Sequence, residues 1–217
     1  MKKNKFVDVF ISSIPSELII EKVFPNDRDE YILSTTDEKL KISKFWAWKL
    51  LEFAIYKTFA LRLEEINVQK NKNGKWVSDK CFFSISHTSG LVVVAVGDKE
   101  VGVDVENLDV FSKRFSDGKH FEEFTNYILS DGEPSPKNFL ELAKLWTKKE
   151  SAFKVSGGGF FSPRKVIVDD VKSNSIIVEF DKTEFMISSS FNDEMTIKYH
   201  ICTNDFCSLP LKKYRFI

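Results

Sequence analysis

The sequence is poor in the residues that build metal cages and covalent staples. Its three cysteines (Cys81, Cys202, Cys207) and three histidines (His87, His120, His200) form no C-x-x-C pair and no zinc-ligand spacing. A reducing cytoplasm is the simplest compartment for such a chain. Long hydrophobic runs are missing too: the longest aliphatic stretch, residues 91–96, falls far below the roughly 20 residues needed to cross a bilayer. The opening MKKNKFVDVFISS starts basic and then apolar, as a secretion signal does, but Asp8 interrupts it and no small-residue cleavage site follows. Neither secretion nor a membrane partner is expected. Net charge is also absent, since 32 Lys and Arg balance 32 Asp and Glu, and that argues against a nucleic-acid partner.

What remains is an ordinary globular composition, 42% hydrophobic and 29% charged over 217 residues. That length supports one large domain or two of about 100 residues each. Phenylalanine is abundant at 21 positions, which reads as core packing.

Local patterns give the element order. Residues 6–11 alternate as a first strand, and a helix follows from about Ser43 as its N-cap, with Phe45, Trp48, Leu51, Ile55 and Phe59 on one apolar face. Residues 71–74 signal a turn, and strands are expected at 81–85, 90–97 and 101–106. Residues 111–129 read as helical, 131–136 as a breaker, and 137–155 as a second long helix ending at Gly157-Gly158-Gly159. Strands at 165–171, 176–180, 184–190 and 196–202 close the chain. The fold class is therefore α+β, in two similar halves. The halves are expected at 1–103 and 104–217, with a site in the cleft between them and one chain sufficing as a monomer.

Charge is segregated along this order. Residues 98–141 hold 11 acidic against 5 basic side chains, and residues 144–165 hold 6 basic against 1 acidic. A neutral protein with such segregation still binds ions locally. In Val101-Gly102-Val103-Asp104-Val105-Glu106 strict alternation puts Asp104 and Glu106 on one strand face, the three valines on the other, and Gly102 beside the acids with room for a close neighbour. Paired carboxylates of this kind suit Mg²⁺; a solvated strand face is the competing reading. In the second long helix Phe139, Leu142, Ala143, Trp146 and Phe153 share a narrow arc with Glu150 near its centre. Such a carboxylate either pairs with Lys154, four residues on, or completes a three-carboxylate metal centre with Asp104 and Glu106. Ser86, His87 and Thr88, at the end of a strand before Gly90, offer donors to phosphate oxygens.

Three blocks now carry a resemblance. Phe83-Ser84-Ile85-Ser86-His87-Thr88, then Val101 to Glu106 as quoted, and Leu145-Trp146-Thr147-Lys148-Lys149-Glu150-Ser151-Ala152-Phe153-Lys154 are similar, in order and spacing, to the signature blocks of the Sfp-type 4′-phosphopantetheinyl transferases. Lys154-Val155-Ser156-Gly157-Gly158-Gly159 fits the K-x-x-G-x-G that follows them in that family. The resemblance implies two α+β halves about a pseudo-twofold axis with coenzyme A and Mg²⁺ in the cleft. It implies transfer of the phosphopantetheine arm to a serine of an apo acyl or peptidyl carrier protein, with release of adenosine 3′,5′-bisphosphate. It also implies roles: Asp104, Glu106 and Glu150 as metal ligands, Glu150 or a water it orients as the base, and Lys154 on the phosphates. Lys44, Lys75, Ser86, His87 and Thr88 would contact coenzyme A. Lys44 stands where the family commonly has Arg, only Arg28 supplies a basic residue after Pro25, and a further family Glu corresponds to Glu122, Glu123 or nothing. A non-catalytic coenzyme A-binding module of the same fold is the alternative function.

Overall fold

The computed structural model describes residues 5–16, 20, 26–168, 171–202, 208–210 and 214–216, so the stretch leading to Pro25, and Cys207, lie outside the described residues. β1 (Phe6–Ser13) is followed by α1 (Asn26–Leu33), α2 (Glu38–Phe59) and the short hairpin β2 (Val68–Lys70) and β3 (Trp76–Ser78). β4 (Phe82–Thr88), β5 (Leu91–Gly97) and β6 (Val101–Asn107) come next, then the helices α3 (Leu108–Arg114), α4 (Gly118–Ile128) and α5 (Phe139–Val155). β7 (Lys172–Phe180), β8 (Thr183–Phe191), β9 (Thr196–Cys202), β10 (Ser208–Pro210) and β11 (Tyr214–Phe216) complete the order. The mixture is α+β. No helix among the described residues is long and apolar enough to cross a membrane.

Two larger sheets organise these elements, one in the order β10-β9-β1-β5-β4 and one in the order β11-β7-β8-β6. Side-chain alternation explains how they stack. Val92, Val94 and Val96 of β5 pack with Leu50, Leu51 and Ile55 of α2, whereas Leu91, Val93 and Ala95 pack with Val101, Val103 and Val105 of the second sheet. The uninterrupted apolar run of β5 is thus the mark of a strand buried on both faces. On the far face of the second sheet Ile177 and Met186 pack with Leu142 and Ala143 of α5 and with Leu108 and Phe111 of α3. The layers run helix, sheet, sheet, helix. Chain order and sheet membership differ: β9 returns to lie parallel with β1, pairing Phe6 with Thr196 and Phe10 with His200.

Several boundaries differ from expectation for identifiable reasons. α2 starts at Glu38 because the Asp37 side chain caps it, accepting from Leu40 N at 2.8 Å; Ser43 lies inside the helix and bonds back to Lys39 O. The helical stretch after β6 is two helices, broken where Asp117 caps α4. The expected strand at 165–171 is not formed among the described residues. A 3₁₀ turn, Pro163–Lys165, stands there, and the carbonyls of Pro163 and Val166 accept from the Lys149 ammonium (3.2 and 2.6 Å) rather than from a sheet.

Candidate active site

The second sheet ends at β6, and β6 lies against β4, the edge of the first. Two serines of β4 close this seam. Ser84 Oγ accepts from Val103 N at 3.1 Å, and Ser86 Oγ donates to Asp104 Oδ1 at 2.7 Å. α5 crosses β6 at Gly102, where a built Cβ would come within 1.9 Å of Ser151 O. Only the missing side chain allows that approach. The helix is also fixed sideways, through Thr147 Oγ1 to Ser188 Oγ and Ser151 Oγ to Ser190 Oγ, both 2.7 Å. Its most buried row is therefore small and hydroxylic, and the aromatic arc of Trp146, Glu150 and Phe153 is left half-buried on its flank.

That flank faces the acids of β6. Asp104 is 4% exposed and holds the Lys154 ammonium on Oδ1 at 2.8 Å, while the same ammonium donates to Val103 O at 3.0 Å. Lys154 is thus paired across 50 residues rather than with Glu150 one turn away, and no Glu150–Lys154 ion pair within 4.0 Å occurs among the described residues. Glu106 accepts from Trp146 Nε1 at 3.0 Å. Burial and then the Asp104 charge push the Glu106 carboxyl up to about 7, with Glu150 adding to the rise and the Trp146 bond and Arg114 opposing it. Glu150 is likewise pushed up to about 7, first by burial, then by Asp104, against the pull of Lys154. The buried Asp104 charge therefore makes ionisation of both Glu106 and Glu150 harder, and Glu150 adds to the effect on Glu106. Among the described residues no three His, Cys, Asp or Glu side chains converge into a ready metal cage.

Beside the acids lies a cavity of about 300 Å³ lined by Gly74, Lys75, Trp76, Phe153, Lys154 and Gly158 among others. The turn after β2 reaches the end of α5 there: Asn71 Nδ2 donates to Gly157 O at 2.9 Å, and the Lys75 ammonium donates to Lys154 O. Gly158, at φ +84°, passes within 3.1 Å of the Lys75 Cβ when given a side chain, so the triple glycine is what lets the two segments meet. Burial lowers the Lys75 ammonium's proton affinity; Glu100 opposes this and Lys154 adds to it. His87 is also held below its ordinary value, by burial first, then by the charges of Lys154 and Lys44, against Asp104. Lys44 donates to Thr35 Oγ1 at 2.9 Å and stands 4.3 Å from the Tyr31 ring centre.

Asp104 thus binds Lys154 and Ser86 directly, and Glu106 and Glu150 lie within electrostatic reach of it, with Lys154 and Lys44 acting in the same way on His87. Thr88 closes β4 half-buried. Arg28 is buried, stacked over Trp48 at 5.3 Å, and Glu122 and Glu123 are exposed on α4, away from the buried acids. Sequence reasoning missed Lys149. Its side chain is fully buried and binds Glu133 Oε2 (2.6 Å), Ser130 Oγ (2.8 Å) and two carbonyls. The signal was present, a lysine of the buried helix with no acid at i±4, but its partners are set by tertiary structure.

Residues 100–203, from just before β6 through β9, match the family profile of the 4′-phosphopantetheinyl transferase superfamily. Among curated proteins the chain is similar to the 4′-phosphopantetheinyl transferase gsp of Aneurinibacillus migulanus, 29% identical over 123 residues, which are 56% of this chain and 51% of that protein. It is also similar to the 4′-phosphopantetheinyl transferase psf-1 of Bacillus pumilus, 29% identical over 117 residues, 51% of this chain and 48% of that protein. The chain spans about half the length of the curated relatives it matches. Every acid of the corner, and Lys154 with them, falls inside the stretch that matches the 4′-phosphopantetheinyl transferase superfamily.

Proposed function

We propose that this protein is a cytoplasmic, Mg²⁺-dependent transferase that moves the 4′-phosphopantetheine arm of coenzyme A onto a serine of an apo acyl or peptidyl carrier protein. The observation that supports this reading is the corner itself: Glu106 and Glu150, both raised by burial and by Asp104, on a seam between two sheets, with Lys154 joining Asp104 to the wall of a cavity. Asp104, Glu106 and Glu150 form an all-oxygen donor set whose crowded negative charge fits a hard divalent cation, and these are the residues that would hold it. When bound, the metal would offset the charge of the transferring phosphoryl group and of the departing bisphosphate.

In the reaction the carrier serine Oγ attacks the phosphorus attached to the pantetheine arm. A new P–O bond forms there, the P–O bond to adenosine 3′,5′-bisphosphate breaks, and the bisphosphate leaves with the bridging oxygen. The serine proton passes to Glu150 or to a water it orients. Lys154, Lys75, Lys44 and His87 would orient the phosphates at the cavity mouth, with Thr88 beside them. Trp146 steadies Glu106 through its indole N–H.

Incubation with coenzyme A, Mg²⁺ and a panel of apo carriers tests the proposal by intact-protein mass spectrometry. A mass gain of one phosphopantetheine arm on a carrier is expected, lost with Asp104→Ala. Tight coenzyme A binding with no gain on any carrier would favour the non-catalytic module instead.

A further inference from the structure

Lys154 stands at the boundary between the acidic corner and the cavity. Its ammonium rests on Asp104 Oδ1 (2.8 Å) and Val103 O (3.0 Å), yet its side chain also lines the cavity and is 26% exposed, against 6% for Asp104. Asp104 Oδ1 receives the Ser86 hydroxyl as well, at 2.7 Å. A single buried oxygen thus has two donors, one of them cationic. A divalent cation that reaches this oxygen meets a like charge at contact distance, in surroundings that screen poorly. The backbone of Lys154 cannot yield, because its carbonyl is held by Lys75 and α5 is pinned through Ser151 and Ser190. Its four-carbon stem can.

We propose that Lys154 is an exchangeable counter-ion. It neutralises Asp104 in the protein alone; a divalent cation binding at Asp104, Glu106 and Glu150 expels its ammonium into the cavity, and the expelled ammonium binds a phosphate of the incoming substrate. The inference rests on the reading above and deepens it. Cation and polyphosphate binding become mutually favourable, since the anion takes up the charge that the cation displaces, and by linkage the coupling is equal in both directions.

The test reads Lys154 rather than turnover. Metal-stripped wild-type protein is acylated with an N-hydroxysuccinimide ester, with and without MgCl₂, and labelling at each lysine is measured by peptide mass spectrometry, with exposed Lys165 as the reference. Mg²⁺ raises Lys154 labelling about tenfold, the factor that corresponds to release from an interaction of about 1.4 kcal/mol, and added coenzyme A suppresses it again. In calorimetric titrations without coenzyme A, Lys154→Gln binds Mg²⁺ about tenfold more tightly than wild type, and coenzyme A then improves its Mg²⁺ affinity far less than it does for wild type. If Mg²⁺ binds and Lys154 labelling stays constant or falls, or if Lys154→Gln binds Mg²⁺ no better, the exchange is refuted while transfer, scored separately on carriers, stands. If Mg²⁺ does not bind at all, both the exchange and the metal's part in the proposed function fall.

Discussion

Gly102→Ala is the smallest change that should disturb the whole site. The added Cβ would lie 1.9 Å from Ser151 O, 2.9 Å from Ser151 C and 3.0 Å from Val155 N. An ordinary contact to that oxygen starts near 3.4 Å, so α5 must retreat from β6 by about 1.5 Å. The clash is with helix backbone on one side and the backbone of β6 on the other, and no side chain can rotate out of the way. Overpacking of this kind costs about 1–3 kcal/mol. The retreat also stretches the hydroxyl pairs Thr147–Ser188 and Ser151–Ser190, both 2.7 Å, each contributing about 1 kcal/mol. A loss of about 2–5 kcal/mol is expected, read as a lowered urea midpoint at unchanged slope. The same movement carries Glu150 and Lys154 away from Asp104 and Glu106, and a displacement of about 1 Å costs on the order of a hundredfold in rate. A variant within 0.5 kcal/mol of wild type, about the range of a neutral surface substitution, that also keeps full transfer activity would refute the close crossing of α5 and β6.

Three further outcomes follow from the same geometry. Lys149→Met strands the buried Glu133 carboxylate and frees the carbonyls of Pro163 and Val166; removing one partner of a buried pair costs about 3–5 kcal/mol, and chemical denaturation that finds less than about 1 kcal/mol contradicts the clamp. In chelator, the raised carboxyls of Glu106 and Glu150 bind protons that the unfolded chain has released between the ordinary value of 4.5 and about 7, so stability falls as pH rises through that window; Glu106→Gln should raise the melting temperature at pH 8 and leave it nearly unchanged at pH 4.5, and equal shifts at both would contradict the sign. Burial pushes the Cys202 thiol up to about 12, against weaker opposition from Ile11 and Lys57, so iodoacetamide at pH 8 should modify Cys202 only at the rate of unfolding, and rapid alkylation of the native protein would show the thiol to be accessible.

The parts of this architecture that the sequence discloses are those written in short periods. β6 alternates strictly because one face meets a core of valines and the other meets α5, and the acids of that face are legible for the same reason. The α5 face reads less well. Its apolar residues cluster on one arc, but the row that touches the sheet is Thr147 and Ser151, which bond to serines of β8 about 40 residues away. Composition gives no sign of a helix–sheet contact made of hydroxyls. For Lys154 local spacing offers only Glu150 as an ion-pair partner, whereas the fold brings it to Asp104. Residues 165–171 look like a strand because they are rich in β-branched side chains, but propensity yields to pairing: Lys149 takes the carbonyls and Glu133 Oε1 accepts from Val168 N.

The abundance of phenylalanine gains a more specific meaning than core filling. Phe115 stacks on Phe124 with ring centres 4.5 Å apart, Phe124 meets Trp146 at 5.1 Å, Trp146 meets Phe161 at 5.6 Å, and Phe161 meets Phe153 at 4.8 Å. This row runs from α3 and α4 to the wall of the cavity and encloses the indole that donates to Glu106. Aromatic contacts of this kind contribute about 0.5–1.5 kcal/mol each beyond their buried area, and their fixed geometry limits the positions the indole N–H can take. Lys149 secures the segment that carries Phe161 from its far end, by holding the Pro163 and Val166 carbonyls. Trp146 is therefore braced from both sides, and with it the carboxyl whose charge state the corner depends on. The residues that position Glu106 lie on α4, α5 and the segment after α5, so its orientation is a property of the tertiary fold that no window of sequence around the acid contains.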